Sequence, residues 1–226
     1  MDATGRLFYR WGERNPAHFL IVAQFDVLLA ADQVQAALSA VQNRHPLLSV
    51  HVEDRPASRL GFYRAEPVAG IQLAVHERDD TQWQSVAADE LARPFDRSTA
   101  PLMRAALLNG KSTSSVLLTF EHTIADGMSS VSILNDLVAS LNGHPLSALG
   151  VPPSQEQLIA RRLPPPPEQP INAAAAADPR LLQPNSIRPF DAARSCMGLQ
   201  LAFKTPQAST VGDAANSTTQ ATDNDG

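Results

Sequence analysis

The sequence predicts a mixed α/β protein, an α+β two-layer sandwich with a mixed sheet and flanking helices. Three observations lead to this class. Short runs rich in apolar and β-branched residues have the length of strands. Longer segments repeat apolar residues at helical spacing. The two kinds of segment do not follow one another in the regular alternation of βαβ units, so we expect a sandwich rather than a doubly wound sheet.

The first hundred residues predict several strands and two helices. Residues 18–29 place Phe19, Ile21 and Ala23 on one face of a predicted strand, and the other face mixes apolar residues with Gln24 and Asp26, so we expect that face to be covered in part. Residues 31–44 carry an apolar stripe and precede Pro46, which predicts a helix that ends before the proline. We also expect short strands at 48–53, 60–65 and 71–75, and a helix at 81–92.

The next forty residues predict a hairpin followed by a helix. Residues 101–108 and 114–120 are apolar runs on either side of Asn109-Gly110, a dipeptide typical of tight turns. From Gly127 to Leu141, apolar residues recur at helical spacing. The segment between the second strand and this helix is therefore a strand-to-helix loop.

The character of the chain changes after Gly143. Eleven of the 18 prolines lie between Pro145 and Pro189, a density that favours extended linkers. We therefore expect an N-terminal subdomain at 1–143, a proline-rich linker at 144–195 with one short helix at 154–162, and a final segment at 196–226. In that last segment residues 197–203 predict a strand, and the polar tail from Gln207 predicts disorder.

Composition limits the classes of function. The net charge of −5 argues against a general nucleic-acid or anionic-membrane surface. The single cysteine, Cys196, cannot form an internal disulfide and is more typical of a free thiol than of a catalytic one. No apolar run is long enough to span a bilayer and no secretory leader is recognisable, so we expect a cytoplasmic protein. The histidines show no metal-ligand spacing, so no metal is expected.

The strand-to-helix loop, residues 121–127, carries the pattern His-x-x-x-Asp-Gly. A neutral imidazole at His122 can take a proton from an alcohol or amine near neutral pH. Asp126 stands where a carboxylate can cap the following helix, and Gly127 permits a tight bend. On spacing alone, a capped helix with an incidental histidine explains the pattern equally well.

Together with two other segments, this loop resembles the chloramphenicol acetyltransferase-like superfamily, which includes condensation domains, alcohol acyltransferases and polyketide-associated acyltransferases. Residues 121–127 resemble its His-His-x-x-x-Asp-Gly signature, and residues 44–48 resemble its Arg-His-Pro-x-Leu segment. Residues 93–104 resemble its Pro-Phe-Asp…Pro-Leu-x-Arg stretch. The resemblance covers about residues 5–165 and implies the N-terminal half of that fold, so residues 1–143 are expected to be acyltransferase-like.

The resemblance also implies a chemistry. His122 would be the general base, with Asp126 shaping its loop, while Glu121 stands where the family has its first histidine. The donor would be an acyl thioester on coenzyme A or on phosphopantetheine of an acyl carrier protein, and the acceptor a hydroxyl or amine. No bound cofactor is implied. Arg44 and Arg104 are candidate partners for Asp126, with surface ion pairing favoured for Arg104.

Other side chains of these segments have two readings. His45 is either a structural residue before a helix-ending proline or a second catalytic histidine. Ser129 and Ser130 could donate to a substrate carbonyl or to phosphopantetheine, or they could cap the helix.

A different class of function stays open at this point. The family places its site between two similar halves, and this chain resembles one of them. The alternative is therefore a truncated, non-catalytic half-domain that acts as a binding or interaction subunit, with a sheet edge left open where the other half would lend a strand. Self-association or a second-half subunit could supply the other wall of the site.

Overall fold

The computed structural model describes residues 1, 3–15, 17–55, 59–76, 82–163 and 200–203. In these residues helices and strands are interspersed without βαβ regularity, as predicted. The helices are α1 (Ala3–Trp11), α2 (Ala31–Arg44), α3 (Trp83–Ala92), α4 (Gly127–Leu141) and α5 (Gln155–Arg162), with a short 3₁₀ helix at Pro46–Ser49. The strands are β1 (His18–Phe25), β2 (Val50–Arg55), β3 (Arg59–Arg64), β4 (Gln72–His76), β5 (Met103–Asn109), β6 (Ser114–Glu121) and β7 (Gln200–Phe203).

The main sheet is mixed and has the order β4-β5-β6-β1-β7. Its centre is the antiparallel pairing of β1 with β6, which sets His18 opposite Glu121 and Phe25 opposite Ser114. The predicted hairpin joins β5 to β6, and Gly110 N donates to Thr113 O at 2.9 Å inside its turn. β4 and β7 add parallel neighbours at the two ends, and β2 and β3 form a separate antiparallel pair.

The larger core lies between the sheet and the pair α2 and α4. Leu38 and Val41 of α2 and Leu134 and Leu137 of α4 are fully buried there against Phe120 of β6. Complete burial of side chains of this size contributes roughly 1.5–3 kcal/mol each. This packing fixes the start of α4 relative to the end of β6, and so places the loop between them.

The opposite face of the sheet is covered in part by α3. Val86 and Ala87 of this helix pack with Val22, Leu108 and Leu117 in a smaller core. The two faces of β1 therefore pack against different helices. The sequence indicated partial cover of the second face of β1, and α3 supplies it.

Several boundaries differ from expectation. The strand expected at 48–53 begins only at Val50, because the 3₁₀ helix Pro46–Ser49 precedes it, and the one expected at 101–108 begins at Met103. The first strand ends at Phe25 rather than Leu29, because its partner β6 begins opposite Phe25. Beyond that point Leu28 is 54% exposed, so the apolar run continued past the end of the sheet. The strand predicted at 197–203 is described at Gln200–Phe203, where it pairs in parallel with β1. In the described residues β7 is therefore the neighbour of β1 on the side away from β6.

After Gly143 the structure describes residues 144–163 and 200–203. Leu149 N donates to Arg44 O at 2.8 Å, which holds residues 144–152 near the end of α2. The short helix predicted at 154–162 is present as α5, and Ser154 and Gln157 form a capping box at its start. The proline run at 164–167, most of the predicted linker and the tail from Gln207 lie outside the described residues.

Candidate acyl-transfer site

The loop between β6 and α4 has the predicted strand-to-helix geometry. His122 N donates to Ala17 O at 2.8 Å, which continues the β1–β6 pairing one residue past the strands. Ile124 N donates to Glu121 O at 3.2 Å and turns the chain towards the helix. Residues 122–126 are thereby held between a central strand and a helix that is packed in the main core.

His122 is half-buried between two phenylalanine rings. The ring of Phe8, from α1, lies parallel to the imidazole at an interplanar angle of 7° with ring centroids 4.0 Å apart. Phe19 of β1 closes a second side at 5.0 Å and 55°. Nδ1 is buried and has no hydrogen-bond partner among the described residues. Nδ1 is therefore closed to a molecule that approaches from solvent.

Asp126 caps α4, as predicted. Its Oδ1 accepts from Ser129 N at 2.8 Å and from Ser129 Oγ at 2.7 Å. These hydrogen bonds to Ser129 hold the pKa of the Asp126 carboxyl below its ordinary value. Both serines form hydrogen bonds within the first turn of α4, since Ser129 donates to Asp126 and Ser130 Oγ donates to Gly127 O at 2.7 Å.

The expected pairing of Arg44 with Asp126 does not form. Arg44 Nε and His45 Nε2 both lie 2.7 Å from Asp136 Oδ2 instead. Asp136 is ten positions further along α4, roughly 15 Å at the rise of an α-helix. The end of α2 packs beside that part of α4, so its basic residues meet Asp136 rather than the helix cap. His45 accordingly takes part in the contact between α2 and α4.

Glu121 is buried on the side of the loop away from the phenylalanine rings. Its Oε2 accepts from Thr123 N at 2.6 Å and from Thr123 Oγ1, and its Oε1 lies 2.9 Å from Arg97 Nε. Only 2% of the Glu121 side chain and 16% of the Arg97 side chain are exposed. The residue in the position of the family's first histidine is therefore one half of a buried ion pair.

Sequence reasoning missed Arg97 as the partner of Glu121. Arg97 also donates from Nη1 to Tyr9 O at 2.7 Å, and its own carbonyl accepts from Val52 N at 2.8 Å. It therefore connects the end of β6 with α1 and with β2. The sequence held only a general signal for this pair. A glutamate at the end of an apolar strand requires a cationic partner when it is buried, and Arg97, directly after the Pro-Phe-Asp segment, was one of the available cations.

The surface pairing favoured for Arg104 is wrong. Its side chain is buried, its Nε donates to Glu90 Oε2 at 2.8 Å, and its guanidinium lies 3.9 Å from the centre of the Phe95 ring. Burial lowers the pKa of Arg104. Sequence reasoning missed Glu90, a charged residue on the buried face of α3.

Gly127 is not required by the bend. It is the first residue of α4, and its φ is outside the left-handed region. A Cβ added at this position would meet no atom within 4 Å. The turn is made by residues 122–126. The space beside Gly127, where a side chain would lie, is open.

In the described part of the chain, no group of three or more His, Cys, Asp or Glu side chains is placed to hold a metal ion. Among the same residues, no helix is long and apolar enough to cross a membrane.

Comparison with known proteins assigns this arrangement to a family. The family model described as Condensation domain matches residues 5–157, which include most of α1, both central strands, the 121–127 loop and α4. The chain belongs to the condensation-domain family. The match extends past the predicted subdomain boundary at residue 143 into α5, and the proposed division of the chain into three parts stays a prediction.

The condensation domain resembles parts of several peptide synthetases. It is 39% identical over 134 residues to phosphinothricin tripeptide synthetase PhsC of Streptomyces viridochromogenes, covering 55% of this chain and 12% of that protein. It is 34% identical over 108 residues to tyrocidine synthase 3 of Brevibacillus parabrevis, covering 44% of this chain and 2% of that protein. The chain thus spans a small part of the curated relatives it matches.

Solved structures share the fold. The first condensation domain of the CDA synthetase superposes with a TM-score of 0.57 at 13% identity, over 66% of this chain and 42% of that one. Polyketide synthase associated protein 5 from Mycobacterium tuberculosis superposes with a TM-score of 0.54 at 18% identity, over 72% and 39%. The chain therefore has the fold of about two-fifths of these structures, as the resemblance to an N-terminal half implied.

Proposed function

We propose that this condensation domain takes part in acyl transfer from a thioester donor to an amine or hydroxyl acceptor, with His122 as the general base. The observation that carries the proposal is the half-buried imidazole of His122 at the signature position of the matched family region. The names of the matched relatives, a tripeptide synthetase and tyrocidine synthase 3, favour an amine acceptor and a carrier-bound donor. Coenzyme A is the other donor consistent with the resemblance.

The proposed step is direct transfer. The acceptor nitrogen or oxygen attacks the thioester carbonyl while His122 Nε2 takes its proton. The carbon–sulfur bond then breaks, and the imidazolium returns the proton to the leaving thiolate. The products are an amide or ester and a free thiol, so no oxidant or metal is needed for balance. General-base help of this kind is typically worth about 10²–10⁴-fold in rate.

Asp126 has a supporting role in this proposal. Its carboxylate is exposed and bonded to Ser129, so it holds the start of α4 in place and transfers no proton. Arg44 is assigned no role in the chemistry, because its charge is paired with Asp136.

Replacement of His122 by alanine tests the proposal. Acyl-pantetheine thioesters serve as donors with amine and hydroxyl acceptors, and the product is detected by mass. We expect His122→Ala to lower the transfer rate by about 10²–10⁴-fold while thermal melting is unchanged within error. Leu7→Ala, a change at an exposed position of α1, is the matched control. Full activity of His122→Ala would rule out the base assignment.

A binding role without catalysis is the second candidate. It is favoured by the ion-paired Glu121 in place of the family's first histidine and by the exposed apolar side chains of Trp11 and Met128. An acyl carrier protein, a second copy of the chain or a subunit with the other half of the fold would then be the partner. Light scattering of the purified chain together with the transfer assay separates the candidates, since a defined complex without transfer supports binding alone.

A further inference from the structure

The two phenylalanines that flank His122 form what we call the aromatic clamp, Phe8 of α1 and Phe19 of β1. We propose that Phe8 is a positioning residue, which holds the His122 imidazole in the orientation needed for proton transfer. This inference rests on the proposed role of His122 as base, and adds to it a residue that lies more than a hundred positions earlier in the chain.

The first support is the environment of Nδ1. A catalytic histidine is commonly oriented by a hydrogen bond from the nitrogen that does not react. Here Nδ1 is buried without a partner among the described residues. The two carboxylates nearest in the chain have other partners, because Glu121 accepts from Thr123 and forms an ion pair with Arg97, and Asp126 Oδ1 accepts from Ser129. No such hydrogen bond in the described structure sets the plane of the ring.

The second support is the geometry of the clamp. An interplanar angle of 7° at a centroid distance of 4.0 Å places the flat face of Phe8 against the whole imidazole. Rotation of the imidazole out of its plane would drive an edge into the Phe8 ring. Phe19, tilted by 55°, limits movement on another side. Together these contacts restrict the ring torsion that a hydrogen bond would otherwise control.

The third support is that both halves of the clamp are themselves held. Phe19 pairs with Phe120 in the β1–β6 ladder, and its ring stacks on that of Phe120 at 5.6 Å. α1, which carries Phe8, is tied by the 2.7 Å hydrogen bond from Arg97 Nη1 to Tyr9 O. The ion pair of Arg97 with Glu121 thereby connects the helix of Phe8 to the strand that ends at His122.

Three variants of the full chain separate positioning from simple packing. Phe8→Leu keeps an apolar side chain but removes the flat ring, Phe8→Tyr keeps the ring, and Leu7→Ala changes an exposed neighbour on the same helix. Displacement of a catalytic group by about 1 Å can cost on the order of 10²-fold in rate. We expect Phe8→Leu to lower kcat by about 10–100-fold with KM changed less than about threefold. Phe8→Tyr and Leu7→Ala should stay within about threefold of the unmodified chain in both constants.

A spectroscopic readout accompanies the kinetics. The ring protons of His122, identified in proton NMR by their absence from the His122→Ala spectrum, should be shifted upfield by the stacked Phe8 ring. The upfield shift should be lost in Phe8→Leu and kept in Phe8→Tyr and Leu7→Ala. Unchanged ring signals or unchanged kcat in Phe8→Leu would overturn the proposal. Absence of transfer in the unmodified chain would instead overturn the base role of His122, and the ring signals would then still decide whether Phe8 orients the imidazole.

Discussion

Glu121 and His122 are neighbours in the chain, yet their side chains lie in opposite environments. Glu121 points to the side of Arg97, where hydrogen bonds and an ion pair occupy both carboxylate oxygens. His122 points to the aromatic clamp, where a buried nitrogen is left without a partner. Successive residues at the end of a strand face opposite sides of the sheet, so one position can serve stability while the next remains available for chemistry.

The difference shows how this chain tolerates a departure from its family's signature. Burial of the Glu121 carboxylate would be unfavourable without partners. The ion pair with Arg97 and the hydrogen bond from Thr123 N offset the cost of burying its charge. None of these contacts involves the imidazole of His122. Glu121 at the first signature position therefore does not hold the side chain of His122 at the second. The contacts that do so come from the aromatic clamp.

The largest change in stability is expected on the Glu121 side. Arg97→Ala would leave a buried carboxylate without its cation, which costs about 3–5 kcal/mol in the free energy of unfolding. Urea denaturation measures this. The matched control is Arg10→Ala, since Arg10 is 58% exposed in its pairs with Glu13 and Asp54 and its loss should leave the free energy of unfolding nearly unchanged. Equal losses in the two variants would contradict the role assigned to the buried pair.

A smaller effect is expected at the helix cap. Asp126→Ala removes the acceptor for Ser129 N and Ser129 Oγ, and loss of such a cap typically costs about 0.5–2 kcal/mol. Thermal melting and urea denaturation at neutral pH would report it. Ser140→Ala, a change in the last turn of the same helix, serves as the comparison. No loss at Asp126 would mean that the packing of α4 alone fixes its start.

The cap also predicts a pH dependence. The pKa of Asp126 lies below its ordinary value of 3.8 because Ser129 donates two hydrogen bonds to the charged carboxylate. A group whose folded pKa is depressed stabilises the protein above its unfolded pKa, and that contribution is lost as the pH falls through the folded pKa. The stability difference between the unmodified chain and Asp126→Asn should therefore shrink between about pH 5 and pH 2. A difference that stays constant over this range would contradict the assignment.

The smallest effect is expected at Gly127. Because an added Cβ meets no atom within 4 Å, Gly127→Ala should leave stability unchanged or raise it by less than about 1 kcal/mol. The same denaturation experiment measures this. Gly12→Ala is the contrasting variant, since its Cβ would lie 1.9 Å from Arg97 Nη2 and would disturb the ion-pair side. Marked destabilisation by Gly127→Ala would instead indicate that a tight bend of the loop requires glycine at this position.

Local patterns predicted the elements around the site with good accuracy. The bounds of α2 agree with those predicted, and the Asn109-Gly110 hairpin and the strand-to-helix loop are present. These features depend on spacing, turn residues and caps within one stretch of chain. The strand that should have continued to Leu29 ended earlier because its length depends on the partner strand, which the local pattern does not contain.

The partners of the charged residues were the least predictable part. The sequence offered Arg44 and Arg104 for Asp126, while the structure pairs Arg44 with Asp136, Arg104 with Glu90 and Arg97 with Glu121. Each of these choices depends on which elements pack side by side.

By itself the sequence determined the class of fold, the order of most elements, the family resemblance and the place of His122 on a loop before a helix. These follow from periodicity, capping chemistry and motif order, which act over short distances along the chain. Only the tertiary structure decided that Phe8 stacks on His122, that Arg97 neutralises Glu121 and that β7 pairs with β1. Those contacts join residues far apart in sequence, and they form only when the sheet and its helices bring them together.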